Sequence, residues 1–123
     1  MIKKIATGVL TTIILAGCYN DKYEELYPSG TVVCDTTTIT YSKDIIPIMA
    51  GKCNTAGCHN NAAATGYDFT TREGILVAIN NGRLKGSISW ESGYSSMPKG
   101  LPKLAQCDID KITRWINQGA PDN

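Results

Sequence analysis

The chain has 123 residues, with twelve Lys and Arg, eleven Asp and Glu and a single histidine, for a formal charge of +1. Taking Lys3 and Lys4 away from the twelve basic residues, as removal of an exported leader would, leaves ten against eleven acidic. Such a near-neutral surface without a basic run gives no support to nucleic-acid binding. The length suits one small domain with a limited core, and no internal repeat is present.

Residues 1–17 read as a leader. Lys3 and Lys4 form its basic start and Ile5 to Leu15 its apolar run, which is of signal-peptide length and too short to span a bilayer as a helix. The run ends in Leu15-Ala16-Gly17-Cys18, which resembles the lipobox of bacterial lipoproteins. That resemblance implies cleavage before Cys18 and acylation of its thiol and amine, and two or more acyl chains anchor a protein stably where one does not. The plainer reading is a secretory signal with an incidental cysteine. Both readings export the chain. Residues 18–33 then carry Asp21, Glu24, Glu25, Pro28 and Gly30 with little apolar content, as a flexible tether does. The remaining stretch, 34–123, reads as one domain.

Three helices are expected in it, making the domain all-α. The first begins near Ser42, with Asp44 in its first turn and Ile45, Ile46 and Met49 on its apolar face. Pro47 predicts that it starts late or bends early. The second has Thr70 and Glu73 as a capping box, an Ile75, Leu76, Ile79 stripe, and Asn81-Gly82 at its end. The third runs from about Asp108 to Gln118 on a stripe of Ile109, Ile112, Trp115 and Ile116, with Gly119 and Pro121 as its stop. Between the second and third lies Gly82 to Pro102, rich in glycine, serine and proline and without sustained periodicity. A structureless loop of that length generally serves a function, and it is expected to wrap a bound group.

Cys53 to His59 reads Cys-Asn-Thr-Ala-Gly-Cys-His and ends on the chain's only histidine. Two thiols followed at once by an imidazole are the arrangement that attaches a c-type haem, usually as C-x-x-C-H. Three-residue spacing puts both thiols on one helical face. With four residues between them, Cys53 and Cys58 lie about 140° apart on a regular helix, so this segment must bulge or leave the helix. Asn54, Thr55, Ala56 and Gly57 suit such a departure.

Iron usually takes a second axial ligand. Met49 precedes Cys53 by one turn and is expected to pack in the core. Met97 lies in the irregular loop, in Tyr94-Ser95-Ser96-Met97-Pro98-Lys99-Gly100, and Pro98 biases it to an extended backbone. Returned to the far side of a haem, its thioether would complete the coordination; the alternative is a methionine in an ordinary turn. Of the five cysteines, Cys34 and Cys107 are then left over. In an oxidising compartment they pair as a disulfide or remain two thiols. Paired, they would close a loop of roughly seventy residues, stabilising by roughly 4 kcal/mol in the chain-entropy account.

Ser42-Lys43-Asp44-Ile45, Pro47-Ile48, Cys53 to His59, Met97-Pro98 and the closing Trp115 to Pro121 together resemble a small class I monohaem cytochrome c of the bacterial lipoprotein type, in which the longer cysteine spacing also occurs. The resemblance spans about 34–123. It implies a small cytochrome c-like fold whose first and last helices cross beside one covalent haem c. It also implies thioethers at Cys53 and Cys58, and His59 and Met97 as iron ligands. Crossing end helices would also draw Cys34 towards Cys107.

His/Met ligation raises the reduction potential and leaves no open coordination position. The expected function is therefore a single-electron carrier rather than an enzyme, with redox proteins as partners and no small-molecule substrate. It would face the periplasm or the cell surface, held to a membrane by its N-terminal lipid. Tyr19 after Cys18, in place of an aspartate, points to the outer membrane. Lys99 and Lys103 would form part of a docking rim, and Arg83, Lys85 or Trp90 would meet haem propionates, unless each is ordinary surface or core. Three alternatives are kept. A labile Met97 would open the iron to peroxide or a diatomic gas. A Cys53–Cys58 disulfide would make the chain a non-haem structural lipoprotein. Cys53, Cys58 and His59 would supply three ligands of a zinc site without an obvious fourth.

Overall fold

Thr40, with extended backbone, opens the first helical segment, its side-chain oxygen accepting from the Lys43 amide at 3.3 Å. Asp44 answers by accepting from the Thr40 amide at 3.0 Å, so the Thr40 and Lys43 amides at this helix start are satisfied by the Asp44 and Thr40 side chains. The cap thus falls at Thr40, two residues before the expected Ser42. These contacts belong to a computed structural model that describes residues 33–61 and 65–123. The expected leader, the lipidation site Cys18 and the tether up to residue 32 lie outside the described residues.

The described residues form four helices and no strand, in agreement with the all-α expectation. Helix α1 comprises three consecutive pieces: Tyr41–Ile45, Ile46–Ile48 and Met49–Cys53. Pro47 does not delay it. Instead the turns on either side widen to bonds spanning five residues, Ile46 N–H to Tyr41 O and Asn54 N–H to Met49 O. Wide turns are one way a helix absorbs an irregularity in its bonding ladder. Tyr41, Ile45, Ile48 and Met49 are buried while Pro47 faces solvent. Met49 is thus a core residue, as its position before Cys53 predicts.

Helix α2 is Arg72–Asn80. Its cap is Thr71, which accepts from Gly74 N–H at 3.2 Å, one residue later than expected. Thr70 is diverted because Asp68 accepts both its amide and its hydroxyl. Helix α3, Arg83–Ser89, corrects the expectation of an irregular stretch from Gly82. Leu84 and Ile88, one turn apart, are both buried there, but seven residues give too short a run for periodicity to stand out. Residues 90–105 contain no further helix.

Helix α4, Gln106–Asn117, buries Ile109, Ile112 and Trp115, each stabilising by about 1.5–3 kcal/mol through burial. It starts at Gln106, ahead of the expected Asp108, so Cys107 lies within it. Gly119 (φ +88°) and Ala120 (φ +50°) turn the chain at its end. The Ala120 carbonyl accepts from Arg72 Nε and Nη2, and Trp115 Nε1–H donates to Pro121 O at 2.9 Å.

The end helices α1 and α4 pack together. Tyr41 stacks on Trp115 with centroids 5.4 Å apart and planes within 16°, and Lys111 pairs with Asp44 at 3.0 Å. Asn123 accepts from Tyr41 N–H through Oδ1 and from Ser42 N–H through its carbonyl. Cys34 and Cys107 are joined by a disulfide across 73 residues. At the far end of α1 the haem-type motif shares a cavity with residues of α3 and of the 90–105 segment.

Candidate functional site

Helix α1 ends at Cys53, and the four residues after it leave the helix, as the wide cysteine spacing requires. Asn54 to His59 form turns closed by Cys58 N–H to Thr55 O at 2.9 Å and His59 N–H to Cys53 O at 3.1 Å. Gly57, at φ +80°, takes a backbone conformation that other residues adopt only at a cost. Asn54 pins the segment inward by donating from Nδ2 to Phe69 O at 2.8 Å, while its buried Oδ1 has no partner.

Cys53, Cys58, His59 and Met97 line one cavity of about 540 Å³, within the range of ligand and cofactor pockets. Its apolar wall includes Phe69, Ala78, Leu84, Ile88 and Leu104. Lys52, Arg83 and Lys99 also line it, and among the described residues no acidic side chain does. An apolar cleft with cations alone among its charged residues matches a large flat apolar group bearing negative charge. Haem, with its macrocycle and two propionates, has that chemistry.

Cys53 and Cys58 are free thiols, the first half-buried and the second exposed. Burial, with smaller contributions from Cys58 and Asp108, pushes the Cys53 thiol up to about 11. It is therefore protonated at neutral pH. The disulfide of the described residues lies elsewhere, at Cys34–Cys107.

His59 is held on three sides. Its ring stacks on Phe69 with centroids 4.2 Å apart and planes within 12°. Its Nδ1 lies 3.3 Å from Tyr67 O and 3.0 Å from Thr65 Oγ1. A carbonyl oxygen only accepts, and the Thr65 hydroxyl donates its own proton to Tyr67 O at 3.2 Å. In the tautomer whose Nδ1–H donates to Tyr67 O, the Nε2 lone pair is available to a metal, and such a contact orients a ligating imidazole. Among the described residues no three His, Cys, Asp or Glu side chains converge on a common point for a metal ion.

Met97 is tied to α3 through its backbone. Its N–H donates to Ser87 O at 3.0 Å, and its carbonyl accepts from Trp90 Nε1–H at 2.8 Å. Trp90 thus faces Met97 and does not line the cavity, which corrects its assignment as a propionate partner. Arg83 and Lys99 do line the cavity, whereas Lys85 faces a separate cleft beside Tyr94 and Lys103 is exposed outside both.

Sequence reasoning missed Thr65, Tyr67, Phe69 and Ser87. Thr65 and Tyr67 reach His59 through a hydroxyl and a carbonyl, and Ser87 acts through its carbonyl, groups that leave little or no trace in residue patterns. The one available signal was the aromatic pair Tyr67 and Phe69, shortly after the motif. No protein-family model matches the chain, and no curated protein or solved structure matches it.

Proposed function

We propose that the chain is a membrane-tethered single-electron carrier with one covalently bound haem c in a cytochrome c-like domain. The observation that carries this reading is the common cavity of Cys53, Cys58, His59 and Met97, with Met97 thirty-eight residues beyond His59 in sequence. In this reading Cys53 and Cys58 would hold the haem through thioether bonds. His59, through Nε2, and Met97, through its sulfur, would hold its iron. Lys52, Arg83 and Lys99 offer positive charge to the propionates. The bound haem supplies a one-electron iron couple, whose potential His/Met ligation raises.

With His59 and Met97 both holding the iron, the haem would offer no site for a substrate, and the protein would act by contact with redox partners. Cys18 acylation would hold it to a membrane on the periplasmic or cell-surface side, the outer membrane being favoured by Tyr19. The free state of Cys53 and Cys58 supports attachment over the structural-lipoprotein alternative, and the backbone ties on Met97 support a fixed ligand over a labile one.

Covalent attachment is tested by co-expression with cytochrome c maturation factors followed by acid–acetone extraction. Haem should stay with the wild-type polypeptide and be released from the Cys53→Ala/Cys58→Ala double variant. Extraction of all haem from the wild type, while a control cytochrome keeps its own, would contradict the proposal.

A further inference from the structure

Helix α3 ends on Trp90, whose backbone lies in the left-handed region at φ +59°. Where a helix ends in that conformation the residue is usually glycine, sometimes asparagine, because they carry little steric cost there. A bulky side chain there is an outlier, and strained backbone of this kind clusters at functional positions. The strain aims the indole. Trp90 Nε1–H donates to Met97 O at 2.8 Å, although the residue is 44% exposed and contributes little to the core. Trp90 N–H itself bonds back to Ser87 O, the same carbonyl that accepts Met97 N–H at 3.0 Å. Both polar backbone groups of Met97 are thereby fixed to the last turn of α3. Between these anchors Tyr94 lies over Gly86, where an added Cβ would come within 2.5 Å of the ring.

We infer that Trp90 is a positioning residue that holds the Met97 thioether at the iron and sets how readily another ligand displaces it. This rests on the reading of His59 and Met97 as axial ligands. The hydrogen bond acts on the backbone of the ligand and not on its sulfur. Its loss should therefore loosen Met97 while leaving haem attachment at Cys53 and Cys58 intact. In the free protein the 90–97 segment would have more conformations available, and Met97 would more often be withdrawn from the cavity.

The test compares wild type with Trp90→Phe, which keeps an aromatic ring and removes the donor. Imidazole is titrated into the ferric holoproteins and followed by the visible spectrum, with thermal unfolding measured in parallel. Trp90→Phe should keep its haem and a cooperative unfolding transition, lowered by about 4–8 °C, and bind imidazole about three- to tenfold more tightly, the effect of one lost hydrogen bond. Equal imidazole affinity in two proteins that both show methionine ligation would overturn the inference and leave the electron-carrier reading standing. A wild type without methionine ligation would overturn both. If Trp90→Phe fails to fold, exchange of the indole N–H in wild-type holoprotein decides: a protected proton supports the clamp, and one exchanging as in a free indole refutes it.

Discussion

The imidazole of His59 lies flat against Phe69, their centroids 4.2 Å apart and their planes within 12°. Phe69 is itself buried, its carbonyl accepts from Asn54 Nδ2, and its amide donates to His59 O. One residue thus joins the haem-type motif to the wall of the cavity, so its side chain bears on both stability and ligand geometry. Phe69→Ala should cost about 3–5 kcal/mol, as expected for a buried aromatic ring cut to a methyl group. Phe69→Leu, closer in volume, should cost less. Urea midpoints of the two variants check the order, and equal midpoints would contradict it.

Two glycines are held by close approach. At Gly74 an added Cβ would collide with the Asp68 carbonyl, a backbone group with little room to yield, whereas at Gly86 it would meet the Tyr94 ring. Gly86→Ala should cost about 1–3 kcal/mol as an overpacking change, and Gly74→Ala should cost more. Combining Gly86→Ala with Tyr94→Ala should cost less than the two single changes summed, because the contact is shared. Additive denaturation free energies would show that Tyr94 does not press on Gly86.

The Cys34–Cys107 bridge closes a loop across 73 residues. Replacing both cysteines by alanine should remove about 4 kcal/mol of stability on the chain-entropy account. A far smaller loss in equilibrium unfolding would mean that the Tyr41–Trp115 stack and the Asn123 contacts hold the ends together without it.

Asp44 sets a pH dependence. The Thr40 amide, aided by Lys111, holds its carboxyl below the usual range against the opposing effect of burial. A folded-state pKa below the unfolded one gives stability that is present above the unfolded pKa and lost as pH falls through the folded one. Asp44→Asn should therefore be less stable than wild type by about 1 kcal/mol at neutral pH, given a cap partner and a partly exposed ion pair. The gap should close in strong acid. A gap independent of pH would assign the effect to packing.

Much of this fold is legible in the residues. The stripe of Ile109, Ile112 and Trp115 marks α4 because twelve residues give the helical period several repeats. The second helix is likewise bounded within a residue or two by Thr71 and Asn81. Helix α3 escapes because it is short and opens after a glycine, in a stretch whose composition reads as loop. The departure of Asn54 to Gly57 from the helix follows from spacing alone. What spacing does not reveal is the support around the site. Tyr67 O and Ser87 O are backbone groups, and the Trp90 indole finds its acceptor through a backbone turn that tryptophan rarely adopts.

The most direct test of the central claim is the ferric visible spectrum of the matured holoprotein beside that of Met97→Ala. With His59 and Met97 as axial ligands, the wild type should be low-spin and show the weak far-red band of a methionine–iron bond, and Met97→Ala should lose that band while keeping its covalent haem. A high-spin wild type, or a band that survives in Met97→Ala, would contradict the account.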